Sequence, residues 1–496
     1  MSIGRNVVKL TSSKIAVLVL SFISAPIIAR LFLPEHFGIF QIFESIAGII
    51  GVITCLGYEL SIPLGVNKKE TSASIIICLL STLIFTLLVL TAVPFSKGSM
   101  ARWFKAPELS IFLWLLPLAV FIGGLEKALR YWAAREGRFG AVAWAEFCCE
   151  LSGKLVNVAW ALIIGASALA LFAGHFAGII FGILLLLVFL SRRLVSDIKE
   201  SDLDLKMILT VAKKHKKFPI FNTWTELLNA FSVQVPPIIL GLYFSTTVVG
   251  NYSIGKRLIS LPMMLLGTSI RQVFFPTAAK EYIETGTLST VVSNIFERLV
   301  QIGIFPIIAL GFLGAPLFGF VFGEKWIEAG VYAQILSAWT LIVFISAPLS
   351  STFSILQRQG TGLAFNIGLV ISRTLALLVG AQMGEPRITL AAFVIVSVIG
   401  WIFMLCWILR NCEVSLRWGM KIAVKYMVLS SLLLLPACCF AWILDNMFLV
   451  LASLVFATIL YVYGLYRFDP GVRDFTADII TRVLQLGRWN KKEVSL

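Results

Sequence analysis

Pro26-Ile-Ile-Ala-Arg-Leu-Phe-Leu-Pro-Glu-His-Phe-Gly-Ile-Phe-Gln-Ile42 is the stretch whose reading decides the fold. It ends one apolar helix on Arg30, turns through Pro34 to Gly38 and enters a second apolar helix. About two hundred residues later a degraded copy follows, Pro237-Ile-Ile-Leu-Gly-Leu-Tyr-Phe-Ser-Thr-Thr-Val-Val-Gly-Asn-Tyr-Ser-Ile254. Aligning Pro26 with Pro237 pairs Ile27 with Ile238, Leu31 with Leu242 and Phe32 with Tyr243. One inserted residue then brings Gly38 onto Gly250 and Phe40 onto Tyr252. A helix-turn-helix unit has been used twice.

Composition says where such a unit lives. Of the 496 residues 59% are hydrophobic and only 14% charged, and mean hydropathy is +0.93. Soluble domains carry roughly 45–50% apolar and about 25% charged residues. Many apolar runs reach about 20 residues, the length that crosses about 30 Å of hydrocarbon as helix. The chain is therefore read as an all-α polytopic membrane protein. The first apolar run continues as a full span, so no removable signal peptide is expected. The eight cysteines lie in or beside apolar runs without metal-ligand spacing and read as small buried hydrophobes, and the three histidines are scattered.

Apolar runs between charged or turn-rich breaks give about fourteen spans, near 10–33, 38–63, 72–94, 109–129, 141–164, 167–190, 218–243, 248–276, 299–322, 331–355, 363–382, 388–410, 426–443 and 446–466. An even count puts both termini on one side. With the N-terminus cytoplasmic, Lys and Arg favour the cytoplasmic segments by about five to one, as the positive-inside rule requires. The net charge of +15 is thus a topology signal, and nucleic acid is not needed to explain it. The domain reading is a six-helix bundle over 1–190, a basic cytoplasmic linker over 191–217 held at the anionic inner leaflet, a second six-helix bundle over 218–410, and helices thirteen and fourteen with a basic tail over 411–496. Both bundles start on the cytoplasmic side, so they form a parallel repeat about an axis along the membrane normal. The tail from Arg473 to Leu486 reads as an amphipathic surface segment.

Ionisable and polar groups inside the spans are functional candidates by default. The first helix places Thr11, Lys14, Ser21 and Ser24 on one face, and the seventh does the same with Asn222, Thr225, Glu226, Asn229 and Ser232. Small hydroxyl residues can act as glue between helices, but Lys14 and Glu226 favour a wet cavity between the halves. Deeper cations are Lys154, Lys256, Arg257 and Arg373, with Arg30 and Arg271 nearer helix ends. Lys154 has Glu150 one turn earlier, a pair that is structural or functional. Lys256, Arg257 and Arg373 have no acid within a turn on their own helices; they face a cavity and its anion, or the two adjacent cations snorkel. Arginine suits phosphate through its fork of donors. Gly250-Asn-Tyr-Ser-Ile-Gly-Lys256 matches most of a P-loop, but Arg257 replaces its Ser/Thr and no strand precedes it, so nucleotide binding is rejected. Ten prolines in the expected spans, among them Pro26, Pro236, Pro237 and Pro306, fit helices kinked for alternating access.

Ile28-Ala-Arg-Leu-Phe-Leu-Pro-Glu-His-Phe-Gly-Ile-Phe40, followed by the Gly-rich second helix through Gly57-Tyr-Glu59, resembles the N-terminal signature of Wzx-type flippases, the polysaccharide-transporter branch of the MOP superfamily. The sharp motif is confined to the first two helices, and only Arg30 maps onto it. The resemblance implies two six-helix bundles around a V-shaped cationic cavity in a bacterial inner membrane. It implies no enzyme activity, but transfer of an undecaprenyl-diphosphate-linked oligosaccharide repeat unit between leaflets, for O-antigen or exopolysaccharide synthesis. It implies no cofactor beyond a coupling proton, sodium ion or membrane potential. The implied partners are that lipid-linked glycan, the bilayer, a polysaccharide polymerase and a chain-length regulator. On this reading Arg30, Lys256, Arg257 and Arg373 attract the diphosphate or acidic sugars, and Lys154 and Lys14 are further candidates for the cavity. Asn222, Thr225, Glu226 and Asn229 bind sugar hydroxyls or carry the coupling proton. The rivals are a cation-coupled multidrug extruder of the same superfamily, whose cavity should favour acids, and a membrane glycan polymerase or ligase, which should carry a large outer loop.

Overall fold

The computed structural model describes residues 3–200, 204–260, 274–444 and 446–468, without side chains at 3–13, 191–200 and 468. Arg271, Thr11 as a side chain and the segment Arg473 to Leu486 lie outside the described residues. Among the described residues fourteen main helices run in chain order: α1 Ile3–Leu31, α2 Pro34–Ile53, α3 Lys68–Trp103, α4 Leu116–Arg135, α5 Phe139–Ile163, α6 Ala168–Glu200, α7 Thr223–Tyr243, α8 Thr246–Ile259, α9 Ser289–Phe322, α10 Ile327–Leu349, α11 Gln359–Gln382, α12 Pro386–Asn411, α13 Leu416–Trp442 and α14 Met447–Phe468. Among the described residues there is no strand, and twelve helices are long and apolar enough to cross a membrane. The two expected spans missing from that set are α5, which carries Glu146, Glu150 and Lys154, and α8, whose described part is 14 residues long.

The lipid-facing surface inverts the soluble pattern: Leu83, Ile84, Leu87 and Leu88 on α3 and Ile371, Leu375 and Val379 on α11 are exposed. Turn chemistry sets the helix ends. Pro34 begins α2 at a position where its missing N–H costs nothing. Ser245 caps α8, its Oγ accepting from the Val248 N–H at 3.3 Å. Asn67 caps α3, accepting from the Glu70 N–H at 2.8 Å, while Glu70 accepts from the Val66 N–H at 3.0 Å. The expected second span is shorter than its apolar run: α2 stops at Ile53, and a 3₁₀ turn over Tyr58–Leu64 follows, so Pro63 sits in a turn rather than a span.

Helices α1 to α6 form one bundle and α7 to α12 a second, with α13 and α14 packed on α9. The bundles share a core at one end, which we call the Pro34 end. There Ile39, Ile42 and Phe43 of α2 join Leu240 of α7, Val249 and Tyr252 of α8 and Leu336 of α10. Along the interface α2 lies against α7, with the Ser45 hydroxyl donating to Gln234 Oε1 at 3.2 Å. At the opposite, linker end, the short helix Leu205–Lys214 docks on the first bundle: the Tyr58 hydroxyl donates to the Ala212 carbonyl at 3.2 Å, and Lys214 pairs with Glu70 at 2.8 Å. All eight cysteines are free thiols.

Candidate functional site

The polar groups of the spans sort into three places. At the Pro34 end, α1 and α9 finish side by side, each with backbone carbonyls that its own helix cannot satisfy. Arg30 donates through Nη2 to the Phe320 carbonyl at 2.7 Å and through Nε to the Val321 carbonyl at 3.0 Å. In return Lys325 donates to the Arg30 carbonyl at 2.9 Å, and the buried Trp326 indole to the Ala29 carbonyl at 2.7 Å. Arg30 is therefore not a cavity cation: its guanidinium is spent on a helix terminus of the other bundle, and it sits exposed beside the latch it forms. This corrects its expected role, because a cation at a helix C-terminus finds carbonyl acceptors nearer than any anion.

The second place is a narrow gap of about 30 Å³ between the bundles, lined by Ser21, Ser24, Lys154 and Arg257 among apolar neighbours. Beside it, one carboxylate oxygen, Glu150 Oε1, gathers three partners. The Ser21 hydroxyl donates to it at 2.7 Å, Lys154 Nζ stands at 3.4 Å and Arg257 Nη2 at 3.7 Å. The intrahelical Lys154–Glu150 pair read from spacing is present, and it extends to both α1 and α8. Arg257 has no acid within a turn on its own helix, as read from the sequence; the acid it pairs with lies on α5, across the interface.

The third place is a cavity of about 500 Å³ lined by residues of the second bundle. Thr225, Glu226, Asn229 and Ser232 of α7, Tyr252 and Lys256 of α8, Trp339 of α10, Asn366 and Arg373 of α11, and Trp401 of α12 all line it. The α7 stripe lines this cavity, with Thr225, Glu226 and Asn229 exposed and Glu226 near enough to Glu59 and Tyr131 of the first bundle to interact with them. Asn222 is outside this lining because it ends a π-helical turn over Phe218–Asn222, whose wider spacing rotates it off the stripe. Lys14 is exposed at the other end of α1 from the gap and lines neither space.

Adjacent residues on α8 consequently look into different spaces: Arg257 into the gap, Lys256 into the cavity. No carboxylate of the described residues lies within ion-pair distance of Lys256, which donates to the Val233 carbonyl at 3.3 Å and approaches the Tyr252 ring at 5.5 Å. Arg373 is 9% exposed and held by rings, its guanidinium carbon 5.6 Å from Trp339, 5.7 Å from Phe393 and 6.0 Å from Trp401. Such cation–π contacts contribute roughly 0.5–2 kcal/mol each and leave the N–H edge free. Indeed Arg373 Nε and Nη2, Trp339 Nε1, Trp401 Nε1 and the Tyr252 hydroxyl are buried without a partner. The pocket is an unused set of donors among aromatic faces. The expectation of unpaired cations located Lys256 and Arg373; Trp339, Trp401 and Asn366 carried no signal separating them from ordinary span residues.

A family described as "Polysaccharide biosynthesis protein" matches residues 27–331, more than half of the chain. The chain belongs to this family. It is 22% identical over 373 residues to the succinoglycan biosynthesis transport protein ExoT of Rhizobium meliloti, covering 73% of this chain and 70% of that one. It is 20% identical over 185 residues to the teichuronic acid biosynthesis protein TuaB of Bacillus subtilis, a match spanning 37% of this chain and 38% of that protein. Among solved structures, the lipid II flippase MurJ in an inward closed conformation superposes with a TM-score of 0.72 at 12% identity, over 95% of this chain and 99% of that one. An inward-facing multidrug resistance MATE transporter of the MOP superfamily superposes at 0.65 and 13% identity, over 80% and 94%. The fold is therefore the one that these flippase and transporter structures share, and the protein is a multi-pass membrane protein.

Proposed function

We propose that this protein translocates an undecaprenyl-diphosphate-linked oligosaccharide across the bacterial inner membrane by alternating access, without covalent chemistry. The observation that carries the reading is the cationic pocket where Lys256 has no carboxylate at ion-pair distance among the described residues and Arg373 Nε and Nη2 have no partner, held in an insulating core where an unpaired charge is costly unless a ligand compensates it. The family, whose relatives include proteins of polysaccharide biosynthesis and transport, and a fold shared with a lipid flippase support the choice of cargo.

On this reading Arg257 and Lys154, at the gap between bundles, meet the diphosphate, which remains near the bilayer with its lipid tail. Lys256 and Arg373 draw the glycan into the second bundle, where Trp339 and Trp401 offer flat apolar faces to sugar rings and N–H donors to their hydroxyls. Thr225, Asn229 and Glu226 supply further hydrogen bonds, with Glu226 also available to a coupling proton. The excess of Lys and Arg in alternate loops supports a cytoplasmic location for both termini and the Leu205–Lys214 helix, and on this reading the Pro34 end is periplasmic. Rocking of the bundles about their shared core at that end would expose the site to either side.

The test is depletion of the protein in a cell that makes the glycan. Lipid-linked repeat units should accumulate on the cytoplasmic face, out of reach of a periplasmic glycosidase. Continued appearance of the repeat unit in the periplasm refutes the proposal.

A further inference from the structure

We infer that Glu150 is a built-in substitute for the substrate's phosphate: its carboxylate holds Arg257 and Lys154 until the diphosphate displaces it, and the displacement removes one of the contacts that tie the second bundle to the first. The inference rests on the flippase reading above and assigns the anionic subsite and the residue that guards it.

Three observations lead here. First, Glu150 Oε1 is shared by donors from three helices, Ser21 of α1, Lys154 of its own α5 and Arg257 of α8. The Arg257 contact therefore crosses between bundles, and α8 cannot move away while it holds. Second, the hold is loose. At 3.7 Å the guanidinium is an ion pair beyond hydrogen-bond length, and its side chain is still 52% exposed. Most of the five N–H donors of that fork are open to a better acceptor. Third, Ser21, Lys154 and Arg257 already converge on the same gap, about 30 Å³, room for one or two waters. Withdrawal of the Glu150 side chain would enlarge it.

The charges favour exchange. With Glu150 in place the cluster carries two cations and one anion; with it displaced, two cations face a diphosphate of about two negative charges. A diphosphate also accepts bidentately from arginine, which strengthens each contact relative to a single shared oxygen. The other nearby acid, Glu44 on α2, stands 3.3 Å from His175 and has its own partner. The cost of leaving Glu150 unpaired is limited because its side chain is already 26% exposed. Substrate binding and opening of the interface thus use one carboxylate, so the unloaded protein stays bridged.

A carboxylate that competes with the ligand gives an outcome opposite to one that binds it. Full-length protein in lipid nanodiscs should bind undecaprenyl diphosphate about tenfold more tightly when Glu150→Gln removes the competing charge while keeping an acceptor for Ser21. Arg257→Gln should weaken binding by a similar factor. Glu150→Gln should also flip lipid-linked glycan more slowly, because the bound state no longer triggers release. Glu150→Asp, which shortens the reach to Arg257 but keeps a charge beside Lys154, should tighten binding by less and serves if the glutamine variant does not fold. Unchanged or weaker binding in these Glu150 variants overturns the inference and leaves the flippase reading standing. Absence of binding by the wild-type protein overturns both.

Discussion

Gly38 and Gly250 each lie against the backbone of the other's helix. A side chain on Gly38 would run into the Thr246 carbonyl, and one on Gly250 into the Pro34 carbonyl. Pro34 and Thr246 each stand four residues ahead of their own glycine and begin equivalent helices. The contact is thus reciprocal, as a two-fold axis passing between the glycines requires. The repeated stretch is where the two copies touch.

Alanine at either glycine therefore has nowhere to go without parting α2 from α8. Overpacking of this kind costs typically about 1–3 kcal/mol. Gly38→Ala and Gly250→Ala should each lower the melting temperature in detergent and admit a polar thiol reagent to a cysteine placed at the Pro34 end. Each should do so to a similar degree, because the contacts are equivalent. A neutral effect at one glycine and a large one at the other would contradict the two-fold relation.

Arg30→Ala removes two donors from the end of α9. Each neutral hydrogen bond is worth about 0.5–1.5 kcal/mol net, and charged ones about 1.5–3. The closed Pro34 end should lose roughly 2–4 kcal/mol of preference, read as increased accessibility there by paired spin-label distances. Arg30→Lys should recover only part of the loss, since one ammonium cannot reproduce the fork. Equal behaviour of the lysine variant and wild type would remove the fork from the argument.

Arg373→Leu separates stability from function. It replaces a buried guanidinium whose Nε and Nη2 have no partner by an apolar group of lesser demands, a change that is often neutral or stabilising where a charge is buried. The melting temperature should hold or rise while glycan export falls at least about tenfold. A variant that exports normally would take Arg373 out of the mechanism. Arg373→Ala, which also leaves a void among three rings, should lose export and stability together.

Arg387 offers a contrast. It makes a bidentate pair with Glu328 at 2.9 and 2.6 Å, the best ion-pair geometry in the second bundle among the described residues, yet its side chain is 54% exposed. Exposed pairs contribute about 0–1 kcal/mol and are screened by salt. Arg387→Ala should leave export unchanged and shift the melting temperature little, with the difference vanishing at high salt. A large loss of export would point to a role that geometry does not suggest.

Architecture was legible because lipid enforces it: length, hydropathy and the position of basic loops follow from the bilayer, and the duplicated turn around Gly38 and Gly250 announced the two bundles. The site was legible only as a set of unpaired charges. Spacing found Lys154 beside Glu150 because an i, i+4 pair is local. It could not find Arg257 opposite Glu150, because that pair depends on how two bundles meet. The surroundings of the α7 stripe were hidden for a similar reason: periodicity groups Thr225, Glu226 and Asn229 on one face without saying which side chains that face meets. Asn222 was misplaced by one π-helical turn, and Arg30 by the nearness of the α9 carbonyls, which no pattern in α1 reveals.

The exchange of donors between the ends of α1 and α9 has a thermodynamic character of its own. Each of its four acceptors is a main-chain carbonyl in the last turn of α1 or α9, where water can replace the protein donor as the end opens. Opening then swaps hydrogen bonds rather than losing them, and the latch weighs a few kcal/mol, the scale on which two conformations remain interconvertible. Hydration becomes part of the switch: agents that lower water activity should hold the protein shut.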